Sequence, residues 1–429
     1  MQLSRLDRLM LTGACAMAAA LAAGCQAVED YTHGLSTQPN GPTSAFDGVG
    51  QQTWSAAAPP KLPAKDPHGF GVGAVLPLFG LRAASGRAMQ RGLELAVAEI
   101  NAAGGINGQQ VQLDVLDSGV NLASGAEALG ALRDHGEALL VVGDGPLAID
   151  QAENLAGYPQ LVAFLCDYVT VPQLTPKNGV RIYLNGDQEG HAIEGFIESS
   201  PIRRTAVIYQ NDLAGLSNSK FLAYLFSGNH AIFTTAEAYD PGEHEFALLA
   251  KTMMTVNDGA IILAGDGPEY AKILTDFAAA GWTGQVLGYA SVSGLAPLSA
   301  GVGLAATAAY PLPDFAANPR STESGRVFAD AYLAKFGEEP LLPAAYAYDS
   351  LRALAAAAQQ AATADPLKIR SSFISLKSYT GAVGRYEIKD DGDTAMPLRL
   401  LRADGTPLPP PIKSNSPSTV QIMKLQAPP

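Results

Sequence analysis

Two hydrophobic spacings alternate along this chain from Gly69 onward. Residues 70–76 form a short apolar run behind a glycine-rich entrance, the pattern of a buried strand. Met89, Leu93, Ala96, Val97 and Ile100 then recur at helical spacing, with Ser85 placed to cap that helix. Gly104 and Gly105 end it, because glycine tolerates the left-handed cap. Asn107 and Gly108 make a tight turn, after which Val111, Leu113 and Val115 alternate with Gln112 and Asp114 as in a strand. Residues 126–132 read as helix and 138–142 as a short buried strand.

The pattern returns later, with strands at 205–209, 259–264 and 285–289 and helices at 213–226 and 269–280. Further helices are predicted at 321–336 and 344–362. A closing hairpin is predicted from 381–388, through a turn at Asp391 and Gly392, to 397–401. Strand–helix–strand at this spacing means α/β architecture, with parallel sheets covered by helices.

One tetrapeptide occurs twice in matching context. The runs 139–142 and 260–264 lead into Gly143-Asp144-Gly145-Pro146 and Gly265-Asp266-Gly267-Pro268. The glycines permit a tight strand-to-helix turn, and proline suits the first helical position. Two similar lobes explain the echo. Open parallel sheets bind ligands beyond the carboxyl ends of their strands, so Asp144 and Asp266 are candidates to pair with a cationic or amine-bearing ligand. The plainer reading, that each aspartate satisfies turn amides, is preferred. Phe79, Tyr168 and Tyr289 either stack on a ligand or belong to the core. Gln210, Asn211 and Asp212 form a weaker polar-loop candidate. Tyr346, Tyr348 and Asp349 open a long helix and read as packing and hinge residues.

The amino terminus differs from the rest. Arg5 and Arg8 precede an apolar run, 9–23, that closes on Leu21-Ala22-Ala23-Gly24-Cys25. A basic start and a short apolar segment ending in small residues form a secretion signal, 1–24, too short to span a bilayer. The closing residues resemble a bacterial lipobox, with Leu21 one place earlier than usual. The resemblance implies that Cys25 is lipidated and becomes the new terminus. The segment 25–67 then reads as the lipidated cysteine and a disordered tether, rich in Gln, Thr, Ser, Gly and Pro.

Composition removes several functional classes. A net charge of −13 without a basic cluster disfavours nucleic acid and anionic lipid. Beyond Cys15 in the signal and Cys25, only Cys166 remains, so no intramolecular disulfide is expected and Cys166 reads as a small buried residue. The six histidines lack metal-ligand spacing. Neither Gly-x-Ser-x-Gly nor a Walker loop occurs. Gly69, Gly71 and Gly73 lie before or inside the first strand, which argues against a dinucleotide site. No enzyme activity, metal or cofactor is expected.

The run Gly71-Val72-Gly73-Ala74-Val75-Leu76-Pro77-Leu78-Phe79-Gly80, with Gly92-Leu93-Glu94-Leu95-Ala96-Val97-Ala98-Glu99-Ile100-Asn101-Ala102-Ala103-Gly104-Gly105-Ile106-Asn107-Gly108, resembles the opening of bacterial periplasmic binding proteins of the leucine/isoleucine/valine class. Arg181, Asp187 and Gly190 are similar to that family's later helix start. Thr380-Gly381-Ala382-Val383-Gly384-Arg385-Tyr386 followed by Asp391-Gly392-Asp393 is similar to its closing hairpin.

The likeness spans roughly 69–405. It implies two Rossmann-like lobes with parallel sheets, a ligand cleft between them, and three crossings near 185–204, 308–316 and 364–381. The implied division is 68–195 plus 312–366 for the first lobe and 196–311 plus 367–405 for the second, with a loose tail at 406–429.

The family's amino-acid pocket carries over in part. Gly145 and Pro146 keep its first loop, and Thr170 matches a ligand-contacting threonine. The expected serine is replaced around Ala148-Ile149-Asp150, the cleft tyrosine becomes Ala214, the acidic partner of the ligand ammonium falls near Ala290, and the tyrosine near Gly267 is gone. The resemblance therefore implies a monomeric, lipid-anchored solute-binding protein on the extracytoplasmic face. It would pass a small polar, amino-acid-like or amide solute to an ABC permease. The alternative is a lipoprotein regulator that uses this fold to bind a cell-envelope protein.

Overall fold

A computed structural model describes residues 62–80, 82–119, 122–143, 155–166, 177–227, 232–256, 259–264, 269–293, 303–402 and 404–408. The first sheet contains β1 (Phe70–Leu76), β2 (Val111–Asp117), β3 (Leu139–Gly143), β4 (Leu161–Leu165) and β5 (Gly179–Arg181), ordered β2-β1-β3-β4-β5 and parallel throughout. Every residue of β1, β3 and β4 is buried, which is why these strands read as continuous apolar runs.

Their two faces meet different helices. Val72, Ala74 and Leu76 share a cluster with Met89, Leu93 and Ala96 of α1 (Ala83–Ala102) and with Leu351 and Leu354 further along. Val75, Leu140, Val142 and Val162 cluster with Leu129 and Leu132 of α2 (Leu122–His135). The alternation of strand side chains delivers both faces.

The second sheet contains β6 (Arg204–Gln210), β7 (Ile232–Tyr239), β8 (Ala260–Ala264), β9 (Gln285–Gly288) and β10 (Ala309–Leu312). Around it lie α3 (Gly186–Ser199), α4 (Leu213–Phe226), α5 (Ala247–Val256) and α6 (Tyr270–Ala280). Val207, Ile262 and Leu287 cluster with Ile193, Ile197, Leu222 and Phe226.

Three further long helices are α7 (Glu323–Phe336), α8 (Leu342–Ala361) and α9 (Pro366–Ser375). The antiparallel strands β11 (Ser378–Thr380), β12 (Arg385–Ile388) and β13 (Thr394–Ala395) form a small third sheet. Then β14 (Arg399–Arg402) adds antiparallel to β10 at the edge of the second sheet.

Three sequence expectations are corrected. Helix α1 begins at Ala83, and Arg82 at its N-cap position makes no side-chain cap bond, so Ser85 lies inside the first turn. The helix start is fixed instead by packing: a Cβ on Gly86 would sit 2.0 Å from the Pro77 carbonyl oxygen.

The predicted pairing of 381–388 with 397–401 is replaced. β12 pairs with β13, while Leu401 is fully buried opposite Tyr310 of β10. The second sheet offers this strand an apolar edge that the small third sheet lacks.

Finally, α9 packs against α8 and β4, and the β12–β13 turn bonds to β5, so 366–395 accompanies the first sheet. The chain passes between the sheets after Arg181, after Leu312 and after Ala395. The third passage therefore lies beyond the 364–381 expected, and the first lies before the 185–204 expected, because α3 already packs on the second sheet.

Helix α8 makes this arrangement possible. It is rich in alanine and packs along α1 so closely that a Cβ on Gly92 would lie 2.1 Å from the Ala344 carbonyl oxygen. Small residues at the crossing let the two backbones approach.

Candidate functional site

Parallel strands place their carboxyl ends on one edge, where loops gather. Ala214, in the first turn of α4 directly after β6, belongs to the same apolar cluster as Phe164 and Cys166 at the end of β4. The carboxyl edges of the two sheets therefore face each other. This is the position where open α/β sheets hold ligands.

Only some of the sequence candidates fall on described residues. Phe79, in the loop after β1, is 71% exposed. Its loop is pinned: the Leu78 amide donates to Asp117 Oδ1 at 2.8 Å, and Arg87 donates to the Leu78 carbonyl at 3.3 Å. An aromatic ring held in water on an anchored loop is available to a ligand. Tyr289 follows β9 and is 0% exposed, clustered with Ile193, Ile197, Val207 and Leu287. Its ring is placed in the core of the second lobe. Cys25, Asp144, Gly145, Pro146, Tyr168, Thr170 and Asp266 lie outside the described residues. The described strands β3, β4 and β8 end at Gly143, Leu165 and Ala264.

The polar loop after β6 is organised by its own side chains. Asp212 Oδ1 caps α4 by accepting the Gly215 amide at 2.7 Å, and Oδ2 accepts Gln210 Nε2 at 2.9 Å. Asn211 donates to Asp240 at 2.8 Å.

Glu189 is not among the sequence candidates. It sits in the first turn of α3, fully buried, and its Oε2 accepts the amide of Ala290. A carboxylate from α3 thus reaches the stretch after β9 where the sequence itself carries alanine. Asn185 holds that turn by accepting the Gln188 amide at 2.9 Å. The signal lay in Asp187-Gln188-Glu189, legible only as acidic residues favouring a helix start.

Side chains tie the first and third crossings together. Arg181 makes a two-pronged ion pair with Asp393, Nε to Oδ1 at 3.0 Å and the terminal nitrogen to Oδ2 at 2.7 Å, both side chains buried. Asn185 donates to the Thr394 carbonyl at 3.2 Å, and the Thr394 hydroxyl donates to the Arg181 carbonyl at 3.1 Å. The first and third crossings therefore leave the first lobe side by side. Tyr346 contacts both, its ring tilted 42° to that of Tyr183 at a centroid distance of 4.5 Å and its hydroxyl 3.3 Å from Met396 Sδ.

Asp349, fully buried on α8, accepts the amides of Ala382 at 2.6 Å and Val383 at 3.0 Å and the Tyr386 hydroxyl at 2.7 Å. Burial pushes its carboxyl up to about 6, while the Val383 and Ala382 amides and the Tyr386 hydroxyl pull it back.

One polar cluster lies away from this edge. Donor atoms of Asp114, His135 and Glu137 come within 4.8 Å of one another. The 2.6 Å contact between His135 Nδ1 and Glu137 Oε1 is a direct hydrogen bond, and Lys65 occupies the other carboxylate oxygen. Side chains of this protein already neutralise the cluster. Among the described residues no helix is long and apolar enough to cross a membrane.

Comparison with known proteins agrees with this architecture. Residues 70–407 match the family described as Periplasmic binding protein. The Leu/Ile/Val-binding protein homolog 1 of Brucella suis is 24% identical over 331 residues, covering 76% of this chain and 88% of that protein. An amino acid binding protein of Pseudomonas aeruginosa is 26% identical over 311 residues, covering 69% of this chain and 80% of that protein. The crystal structure of LivJ from Streptococcus pneumoniae with isoleucine superposes with a TM-score of 0.66 at 21% identity, covering 79% of this chain and 97% of that one. With two facing, mainly parallel sheets joined by three crossings, and with a family match over nearly the whole described body, this chain belongs to the periplasmic binding protein family.

Proposed function

We propose that this chain is a lipid-anchored solute-binding protein of an ABC-type importer. It captures a small polar solute, amino-acid-like or amide, between its lobes. The observation that carries the reading is the pair of mainly parallel sheets with facing carboxyl edges, joined by three crossings of which the first and third are tied side by side. That geometry permits hinge closure: few backbone torsions separate open from closed, and closing removes the solute from water. Relatives named for leucine, isoleucine, valine and amino acids support the solute class. By the resemblance, Ala214 and Ala290 take the places of side chains of the amino-acid pocket, and Glu189 accepts the Ala290 amide from another helix. The ligand is therefore read as a relative of those amino acids in size and polarity.

The first lobe is taken as the first sheet with α1, α2 and 323–395, and the second as the second sheet with α3 to α6 and β14. Family membership implies an extracytoplasmic location, and the lipid at Cys25 would hold the protein to the membrane. The permease would then read the closed form.

The test is a thermal-shift screen of amino acids, amides and small peptides, followed by calorimetry and small-angle scattering. A true ligand stabilises by about 2.7 kcal/mol at a hundredfold excess over its Kd, and it makes the particle more compact. If no small molecule shifts the protein and a cell-envelope protein is captured instead, the regulator reading replaces this one. For the anchor, Cys25→Ser should leave the protein unprocessed or released on cell fractionation. Normal membrane retention of that variant removes the lipoprotein claim.

A further inference from the structure

We propose that His135 is the proton-dependent pin of a latch, fastening the strap of residues 62–66 to the amino-terminal edge of the first sheet. The strap runs in just before β1, at the end of the sheet opposite the facing edges. Leu62 packs on the apolar cluster under α2. The Asp66 amide donates to Gln112 Oε1 at 3.2 Å, and Lys65 bonds to the Gly136 carbonyl. The pin is the imidazole of His135, at the end of α2. Its Nε2 lies 2.9 Å from the Pro63 carbonyl oxygen, and its Nδ1 lies 2.6 Å from Glu137 Oε1.

Hydrogen-bond chemistry assigns the protons. A backbone carbonyl only accepts, so Nε2 carries hydrogen. The Glu137 carboxylate already accepts Lys65 on Oε2 at 3.4 Å, so Nδ1 carries hydrogen as well. With Glu137 accepting as a carboxylate, both bonds exist together only in the imidazolium form. The surrounding charges match that form. Glu137, with a side chain 0% exposed, and Asp114, 3.7 Å from Nδ1, face the ring from the β3 approach and from β2. Lys65 faces Glu137 from the strap. On α2 itself, Arg133 and Asp134 pair with each other on the exposed side. Two anions thus meet two cations.

The cluster is accommodated by glycine, since a Cβ on Gly71 would fall 2.0 Å from Glu137 Oε2. The Glu137 hydrogen bond holds the imidazole above its ordinary pKa, partly offset by burial. A ring held above its free value keeps the latch closed below that value and loses it as pH rises through the folded pKa. On losing the proton, the ring retains one N–H for two acceptors. Either Pro63 or the buried Glu137 then faces a lone pair, and the strap loosens. The disordered tether expected over 25–67 is thus shortened, because 62–66 are held against the first sheet; on the reading that the preceding chain tethers the body to a membrane, the latch sets where the tether leaves the body and so how the cleft is presented.

The experiment measures hydrogen exchange of residues 62–66 in the full protein, normalised to intrinsic rates, between about pH 5.5 and about pH 9. It is paired with NMR titration of selectively labelled histidine, using His135→Gln for assignment. Strap protection should fall about tenfold across the range, with a midpoint matching the His135 titration. His135→Gln should show low, pH-independent protection there. Should that variant fail to fold, the wild-type coincidence of the two midpoints decides alone. Strap protection that stays constant through the His135 titration overturns the latch, as does a ring neutral across the whole range or wild-type protection in His135→Gln.

Discussion

Arg181 and Asp393 are 212 positions apart in sequence, yet they form a buried, two-pronged ion pair beside the first and third crossings. The pair anchors the strand that leaves the first lobe to the turn that precedes the return. Arg181→Met should cost about 3–5 kcal/mol in denaturant unfolding, because it strands the Asp393 carboxylate without its partner. Arg181→Met combined with Asp393→Leu should recover most of that loss. A double variant as unstable as the single one shows that the pair's value is not mutual compensation.

Asp349 predicts a pH signature. Its folded carboxyl is raised to about 6, above its unfolded value, so the folded state binds the extra proton. This group's contribution is therefore fully present below the unfolded pKa and is lost as pH rises through about 6. The stability of the native protein relative to Asp349→Asn should increase by about 1.4 kcal/mol per pH unit as pH falls between roughly 6 and 4. Parallel stability curves for the two proteins across that window contradict the assignment.

Much of the fold could be read from period and punctuation. The runs at 70–76, 205–209 and 259–264 became core strands because each is apolar on both faces, and Met89, Leu93 and Ala96 became the buried stripe of α1. The closing hairpin could not be read. Whether Arg399–Arg402 pairs with β12 or with β10 depends on which sheet has an open edge, a tertiary fact without a local sequence signal. The same reason hid Glu189: its contact with Ala290 joins positions 101 apart, and local pattern supplied only a helix start. Phe79 and Tyr289 looked alike as isolated aromatics after strands. Burial separates them.

Two glycines in helices should respond with opposite sign. Gly92 lies where a methyl group would strike the Ala344 carbonyl, so Gly92→Ala must push α1 from α8 and should destabilise by about 1–3 kcal/mol. Gly195, inside α3, has open space where its Cβ would point. Gly195→Ala should stabilise by up to about 1 kcal/mol through helix propensity alone. Thermal melts of both variants check the pair. A stabilised Gly92→Ala would show that the helix contact is not limiting.

The two described aromatic candidates should separate binding from stability. Phe79 is exposed on a loop held by Asp117 and Arg87, so the empty fold gains little from its ring. Phe79→Ala should leave the unliganded melting temperature nearly unchanged while weakening any solute found by the screen, by about tenfold if the ring covers it. Tyr289 is enclosed among Ile193, Val207 and Leu287, and truncation opens a cavity in the second lobe. Tyr289→Ala should cost about 3–5 kcal/mol, and it should weaken solute binding only as far as the lobe itself loosens. Melting curves and calorimetry on the same two variants decide between the roles. An unchanged Kd in Phe79→Ala would remove the ring from the site. A stable Tyr289→Ala that no longer binds would move Tyr289 from the core into the cleft.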